Sequence, residues 1–138
     1  MDDSAKYLEL RIVTPFGDQH TFKVRHVRIP GSEGDFGILP GHLPVISSLR
    51  IGIIEFNVDG KVVQWTCSEG YSEVADDRVT ILTEASESAA DIDVNRAKKS
   101  KERAQQRLQE KSVDFNIRRA QLSLLRSENR LQAVPVLH

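Results

Sequence analysis

Past Gly70 the chain contains no glycine, and past Pro44 a single proline, Pro135. These residues punctuate turns, so their absence excludes a turn-rich fold from the C-terminal part and lets it run as uninterrupted helix. Cysteine occurs once, at Cys67, which rules out an internal disulfide framework and a cysteine-based metal centre. Set in the apolar pattern Val62-Val63-Gln64-Trp65-Thr66-Cys67, it reads as a buried structural thiol. No apolar run approaches the ~18 residues of a membrane-spanning helix. Met1-Asp2-Asp3 also lacks the basic start of a secretory signal, so a cytosolic chain is expected unless a partner carries it to a membrane. His20, His26, His42 and His138 are scattered without ligand spacing. Neither a Ser/His/Asp arrangement nor a nucleophile elbow appears, so no metal centre and no catalytic centre are expected.

What is present divides in two: an antiparallel β-sandwich or flattened barrel over residues 1–88 and a helical hairpin over residues 89–138. Tyr7–Val13 alternates apolar and polar as a half-buried strand does. Pro15-Phe16-Gly17-Asp18 reads as a turn, followed by strands at Gln19–Val24 and His26–Ile29, the latter stopping before Pro30. Asp59-Gly60 between Ile53-Ile54-Glu55-Phe56 and Val62-Val63-Gln64-Trp65 is the signature of a type I′ hairpin. Asp76-Asp77 divides Tyr71–Ala75 from Val79–Thr83 in a second hairpin. Between strands, Gly31 to Pro44 holds half of the eight glycines. Its spacing matches neither a dinucleotide fingerprint nor a Walker A sequence, so it reads as a conformational loop. Phe36, Ile38 and Leu39 within it either anchor the loop or belong to an interface.

In the C-terminal module Asp93 is placed to cap a helix whose stripe is Val94, Ala97, Ala104 and Leu108, interrupted by Lys101. Glu110–Val113 is the connector. Asp114 is placed to cap a second helix through about Leu131, striped by Ile117, Ala120, Leu124 and Leu131 and broadened by Leu122 and Leu125. Seams this thin and alanine-bearing bury little area, so the hairpin is expected to open readily or else to dock on the sandwich. Residues 1–90 carry 8 Lys and Arg against 14 Asp and Glu, and residues 91–138 carry 11 against 6. The helical part therefore suits an anionic partner: an acidic protein surface, a nucleotide or a nucleic acid. Arg96, Arg103 and Arg107 repeat at the spacing of Arg119, Arg126 and Arg130, each trio on one helical face. Glu102 and Glu128 are the acids within those stretches. Converging guanidinium groups repel unless an anion lies between them, and a polyphosphate accepts several at once.

The run Gly31-Ser32-Glu33-Gly34-Asp35-Phe36-Gly37-Ile38-Leu39-Pro40-Gly41-His42 resembles the signature loop of the epsilon subunit family of the bacterial rotary ATP synthases. Gly70-Tyr71-Ser72-Glu73-Val74 and Val79-Thr80-Ile81-Leu82 are similar to that family as well. Ile92-Asp93-Val94-Asn95-Arg96-Ala97 matches its ATP-binding motif, Ile/Leu-Asp-x-x-Arg-Ala. The resemblance implies a non-catalytic central-stalk subunit that meets the gamma shaft, the ring of c subunits and the catalytic beta and alpha subunits. It would be held at the cytoplasmic face of the plasma membrane through the complex. It implies further that Asp35 lies near the ring and His42 near the shaft. Nucleotide contacts would come from Ile92, Asp93, Arg96 and Ala97 of the motif, and from Glu87, Arg103, Arg126 and Arg130, which match contacting positions. ATP would be a regulatory ligand, with ADP and magnesium left open. On this reading the basic helices inhibit ATP hydrolysis when extended and release it when contracted around nucleotide. Two other classes stand beside it. A nucleic-acid-binding module would use the same basic hairpin but has only Phe115 as an aromatic there. A free-standing enzyme would need convergent polar groups that the sandwich does not offer.

Overall fold

The computed structural model describes residues 6–110 and 114–133, in two compact units, 1–88 and 89–138. The first holds nine strands: β1 (Leu8–Val13), β2 (Gln19–Val24), β3 (Val27–Gly31), β4 (Gly34–Ile38), β5 (Val45–Leu49), β6 (Gly52–Val58), β7 (Lys61–Cys67), β8 (Gly70–Ala75) and β9 (Arg78–Thr83). They hydrogen-bond in the order β2-β1-β9-β8-β5-β3-β6-β7, with β4 added beside β3. All pairs are antiparallel except β1 with β9. A single pair, Gly31 with Leu49, joins β5 to β3, and there the sheet turns over to make the second layer. The sandwich expected from the strand pattern is the fold observed.

Alternation builds the core. Leu8, Leu10 and Ile12 point inward from β1, Val79 and Ile81 from β9, Val27 and Ile29 from β3, and Ile54 and Phe56 from β6, all fully buried. Each such side chain contributes about 1.5–3 kcal/mol of transfer free energy, so this unit sustains a core of its own. Phe22 of β2 crosses to Phe56 and Trp65, with ring centroids at 4.8 and 5.7 Å, and closes the two layers on each other. Both hairpins turn as their sequences require: Asp59 and Gly60 have φ of 51° and 79°, Asp76 and Asp77 of 53° and 60°. The far edge of β7 is covered by the chain leaving β9, where Thr66 N–H donates to the Glu87 carbonyl at 2.9 Å and Ser68 N–H to that of Ala85 at 3.1 Å. Gly70 has no substitute, since a Cβ there would lie 1.9 Å from the Leu82 carbonyl oxygen.

Two expectations are corrected. The segment read as a loop contains β4, and β5 follows it. Phe36 pairs across from Ile29 and turns inward with Ile38, while Asp35 and Gly37 face outward, so the solvent side of a genuine strand is aspartate and glycine. β3 does not stop before Pro30 either: it runs through it, because the proline forfeits one donor while its carbonyl still accepts the Arg50 N–H at 3.1 Å.

The second unit is one short 3-10 turn, Ala89–Asp91, then α1 (Val94–Glu110) and α2 (Asp114–Ala133), which pack on each other as a hairpin. Buried positions are Ala97 and Ala104 on α1 and Ala120, Ser127, Asn129 and Ala133 on α2. Ala97, Ala104 and Ala120 were anticipated; Ser127, Asn129 and Ala133 were not. Ser127 satisfies its buried hydroxyl by donating to the Ser123 carbonyl at 2.9 Å. Leu124 and Leu131 are half-buried, and Leu125, expected to broaden the stripe, faces solvent. Of the connector expected at Glu110–Val113, Glu110 belongs to α1 and residues 111–113 lie outside the described residues, as do the Asp114 side chain and the capping role assigned to it.

Candidate functional site

On α1 the cap is real. Asp93 Oδ1 accepts the Arg96 N–H at 3.0 Å, and the Asp93 carbonyl accepts the Ala97 N–H at 3.0 Å. Within the motif Ile92-Asp93-Val94-Asn95-Arg96-Ala97 the residues thus divide their work. Asp93 starts the helix, Ala97 packs into the seam, and Arg96 is left projecting into solvent. Ile92 is half-buried and donates its N–H to the Ala89 carbonyl at 3.4 Å.

Arg96 and Arg103 each precede a seam alanine, Ala97 and Ala104, by one residue. On α2, Arg119 and Arg126 precede Ala120 and Ser127 in the same way. One residue is a rotation of about 100° around the helix. In an antiparallel pair the same rotation away from the seam on both helices leads to the same broad face of the hairpin. The two rows of arginines therefore share one side. Arg107 extends the α1 row and Arg130 the α2 row. Arg96, Arg103, Arg107, Arg119 and Arg126 are exposed, and among the described residues none of these five pairs with a carboxylate. Glu87 stands in the first unit, its backbone fixed on β7 by the Thr66 bonds and its side chain partly exposed.

The first unit carries a second candidate surface. Register places Ser48, Tyr71, Leu82 and Val13 side by side on the outer face of β5-β8-β9-β1, with Ile46, Glu73, Thr80 and Arg11 in the next row. Ile46, Tyr71 and Leu82 are 71, 61 and 49% exposed. At the end of this face the β4–β5 connection presents Leu39, 63% exposed, His42, and Leu43, 80% exposed. Gly41 N–H donates to Asp77 Oδ1 at 2.7 Å, tying that connection to the β8–β9 turn. The His42 ring donates from Nδ1 to the Leu43 carbonyl at 2.6 Å. So many large apolar side chains around one face mark a docking surface. Of the three apolar residues whose place was open, Ile38 belongs to the core, Phe36 packs against it, and Leu39 is exposed. Ile46, Tyr71 and Leu82 were not singled out from the sequence, although outward register shared by Tyr71 and Leu82 across the Asp76-Asp77 hairpin was the available signal. Asp35 lies elsewhere, on β4, where its carboxylate bonds Arg50 and reaches Arg28 at 3.4 Å.

A nine-stranded sandwich followed by an arginine-faced helical hairpin can be compared with known proteins as a whole. Residues 7–89 match the family described as ATP synthase, Delta/Epsilon chain, beta-sandwich domain, and residues 90–134 match the ATP synthase, Delta/Epsilon chain, long alpha-helix domain. The chain belongs to the ATP synthase delta/epsilon chain family. Among its relatives is the ATP synthase epsilon chain of Nitratidesulfovibrio vulgaris, 47% identical over 75% of this chain and 77% of the relative. The epsilon chain of Bacillus subtilis is 43% identical over 78% of this chain and 81% of the relative. A chain of the Euglena gracilis mitochondrial ATP synthase, in a structure of its OSCP, F1 and c-ring, superposes with a TM-score of 0.76 at 26% identity, covering 92% of this chain and 80% of that one. As an epsilon chain it is a non-catalytic stalk subunit. No helix among the described residues is long and apolar enough to cross a membrane.

Proposed function

We propose that this epsilon chain links shaft to ring in the central stalk of a proton-driven ATP synthase and acts as a nucleotide-sensitive brake on ATP hydrolysis. The apolar outer face with Leu39, His42 and Leu43 suits the gamma shaft, because a shaft bound throughout rotation needs a dry, permanent contact. The Asp35 end suits the c-ring, where a carboxylate held between Arg28 and Arg50 presents a fixed rather than mobile charge. Both assignments agree with the F1 and c-ring setting of the Euglena neighbour. The complex then holds the chain peripherally at the cytoplasmic face of the plasma membrane.

The observation that carries the regulatory part is the face shared by the two arginine rows, on which Arg96, Arg103, Arg107, Arg119 and Arg126 are exposed. Extended, the hairpin offers that face to acidic surface on the catalytic beta and alpha subunits and blocks hydrolysis. Contracted, Arg96, Arg103, Arg126 and Arg130 close on the phosphates of ATP, with Ile92, Asp93 and Ala97 positioning the start of α1. ADP offers fewer charges to the same groups. ATP shifts the balance only by binding one state better, and on this arrangement it favours the contracted, uninhibited one. Ending the chain before Asp91 removes the brake and raises ATP hydrolysis by the assembled enzyme. Unchanged hydrolysis with normal assembly contradicts the brake and leaves the stalk role standing.

A further inference from the structure

A cleft of about 760 Å³ opens at the end of the sandwich where β2 finishes and β6 turns into β7. Its walls include Tyr7, Phe22, Lys23, Arg25, His26 and Asn57. That volume is within the ordinary range for small-molecule sites. Neither the docking face nor the arginine hairpin uses it.

Its chemistry is lopsided. Lys23 on β2 and Arg25 just past its end reach the same ring: Lys23 Nζ lies 4.3 Å and Arg25 Cζ 5.5 Å from the centroid of Tyr7. Two like charges over one ring repel, and the ring's negative face offsets only part of that. Among the described residues neither cation pairs with a carboxylate. His26 stands beside them, its Nε2 held 2.8 Å from the Asn57 amide nitrogen. The floor is apolar and rigid: Phe22 is wedged against Phe56 and Trp65, and Val58 packs against the same core.

A neighbouring cleft of about 560 Å³ shares Tyr7, Phe22 and Lys23 but is lined beyond them by Glu9, Asp76, Asp77 and Arg78. Its charges are largely spoken for. Glu9 bonds Arg11 and Arg78, each at 3.3 Å, and Asp77 accepts the Gly41 N–H. Asp59 and Asp76 sit on exposed turns at the two rims. The unmatched charge of the trough is therefore positive and gathered at Lys23 and Arg25, above an aromatic floor.

We propose that this cleft binds an organic anion with a flat apolar body, of which an aryl phosphate is the simplest form. The anionic head sits between Lys23 and Arg25, relieving their repulsion, and the body lies on Phe22 and Val58 beside Tyr7. The site stands apart from the nucleotide reading of the hairpin, and either survives the failure of the other.

The test is a titration of the full-length, nitrogen-15-labelled chain with phenyl phosphate at fixed ionic strength, with inorganic phosphate and phenol as separate arms. Phenyl phosphate is expected to shift the amides of Tyr7, Lys23, Arg25, His26 and Asn57 saturably, and to bind about tenfold or more tighter than either half alone. The pair Lys23→Ala and Arg25→Ala, both exposed, weakens it by about tenfold or more while leaving the remaining spectrum in place. Tyr7→Leu weakens it with both cations retained. Arg103→Ala with Arg126→Ala leaves it unchanged. No saturable shift at those amides, equal response to inorganic phosphate, or full binding by the Lys23 and Arg25 variant overturns the proposal.

Discussion

Replacing Ala104 by leucine tests how lightly the helical hairpin is held. Its seam is built from small side chains: Ala97, Ala104 and Ala120 are buried, alongside Ser127. Three buried methyl groups at about 0.8 kcal/mol each give on the order of 2 kcal/mol, little beside the sandwich core. Ala104 is 2% exposed, so a leucine there has no solvent to escape into and must push the helices apart or leave its rotamer. Overpacking of this kind costs about 1–3 kcal/mol, comparable with the whole seam. Opening of the hairpin should rise by roughly 5- to 150-fold at the same temperature. Amide hydrogen exchange reads this directly: protection within α1 and α2 falls by that factor while β1, β6 and β9 exchange as before. Unchanged protection in the helices would refute the weak seam, and equal loss in the strands would refute the independence of the two units.

Other outcomes follow from single sites. Gly70→Ala should destabilise the sandwich by at least about 3 kcal/mol, because the new methyl collides with backbone on β9, and a thermal midpoint close to wild type would show that the β8–β9 approach is looser than described. Asp35→Asn should alter the isolated chain's stability by less than about 1 kcal/mol, since the group and its partners are substantially exposed, yet weaken assembly onto the ring measured by co-purification. Burial pushes the Cys67 thiol up to about 11, against smaller opposing effects of the Thr83 hydrogen bond and the Arg50 charge. The unfolded chain ionises first, binds fewer protons than the native one above about pH 9, and so stability falls from there by about 2–3 kcal/mol toward pH 11. Cys67→Ala should flatten that part of the profile, and an identical slope would assign it to other groups.

Local chemistry explains which parts of the molecule were readable from its residues. Asp59-Gly60 and Asp76-Asp77 announced their turns because positive φ is demanded of a few residue types, and Asp93 announced the start of α1 because a free N–H needs a nearby oxygen. β4 was hidden because its outward positions are glycine and aspartate, which carry no strand propensity, so its pairing with β3 is a tertiary fact. Pro30 gave a false stop, since its cost depends on which side of β3 needs a donor. Ser127 was invisible as a seam residue because a polar group is buried only where a specific acceptor or donor awaits it. The arginine rows were legible as rows. Their convergence was expected too, and the seam gives its reason: Ala97 and Ala104 of the α1 stripe and Ala120 of the α2 stripe each lie one residue beyond an arginine.

The central claim is that guanidinium groups from α1 and α2 jointly hold nucleotide phosphate. Calorimetric titration of the purified full-length chain with ATP, set against the Arg103→Ala, Arg126→Ala double variant, measures it most directly. Loss of two charge-assisted contacts at about 1.5–3 kcal/mol each predicts binding weaker by about a hundredfold or more, with the β-strand spectrum intact. Equal affinity in the two proteins would contradict it.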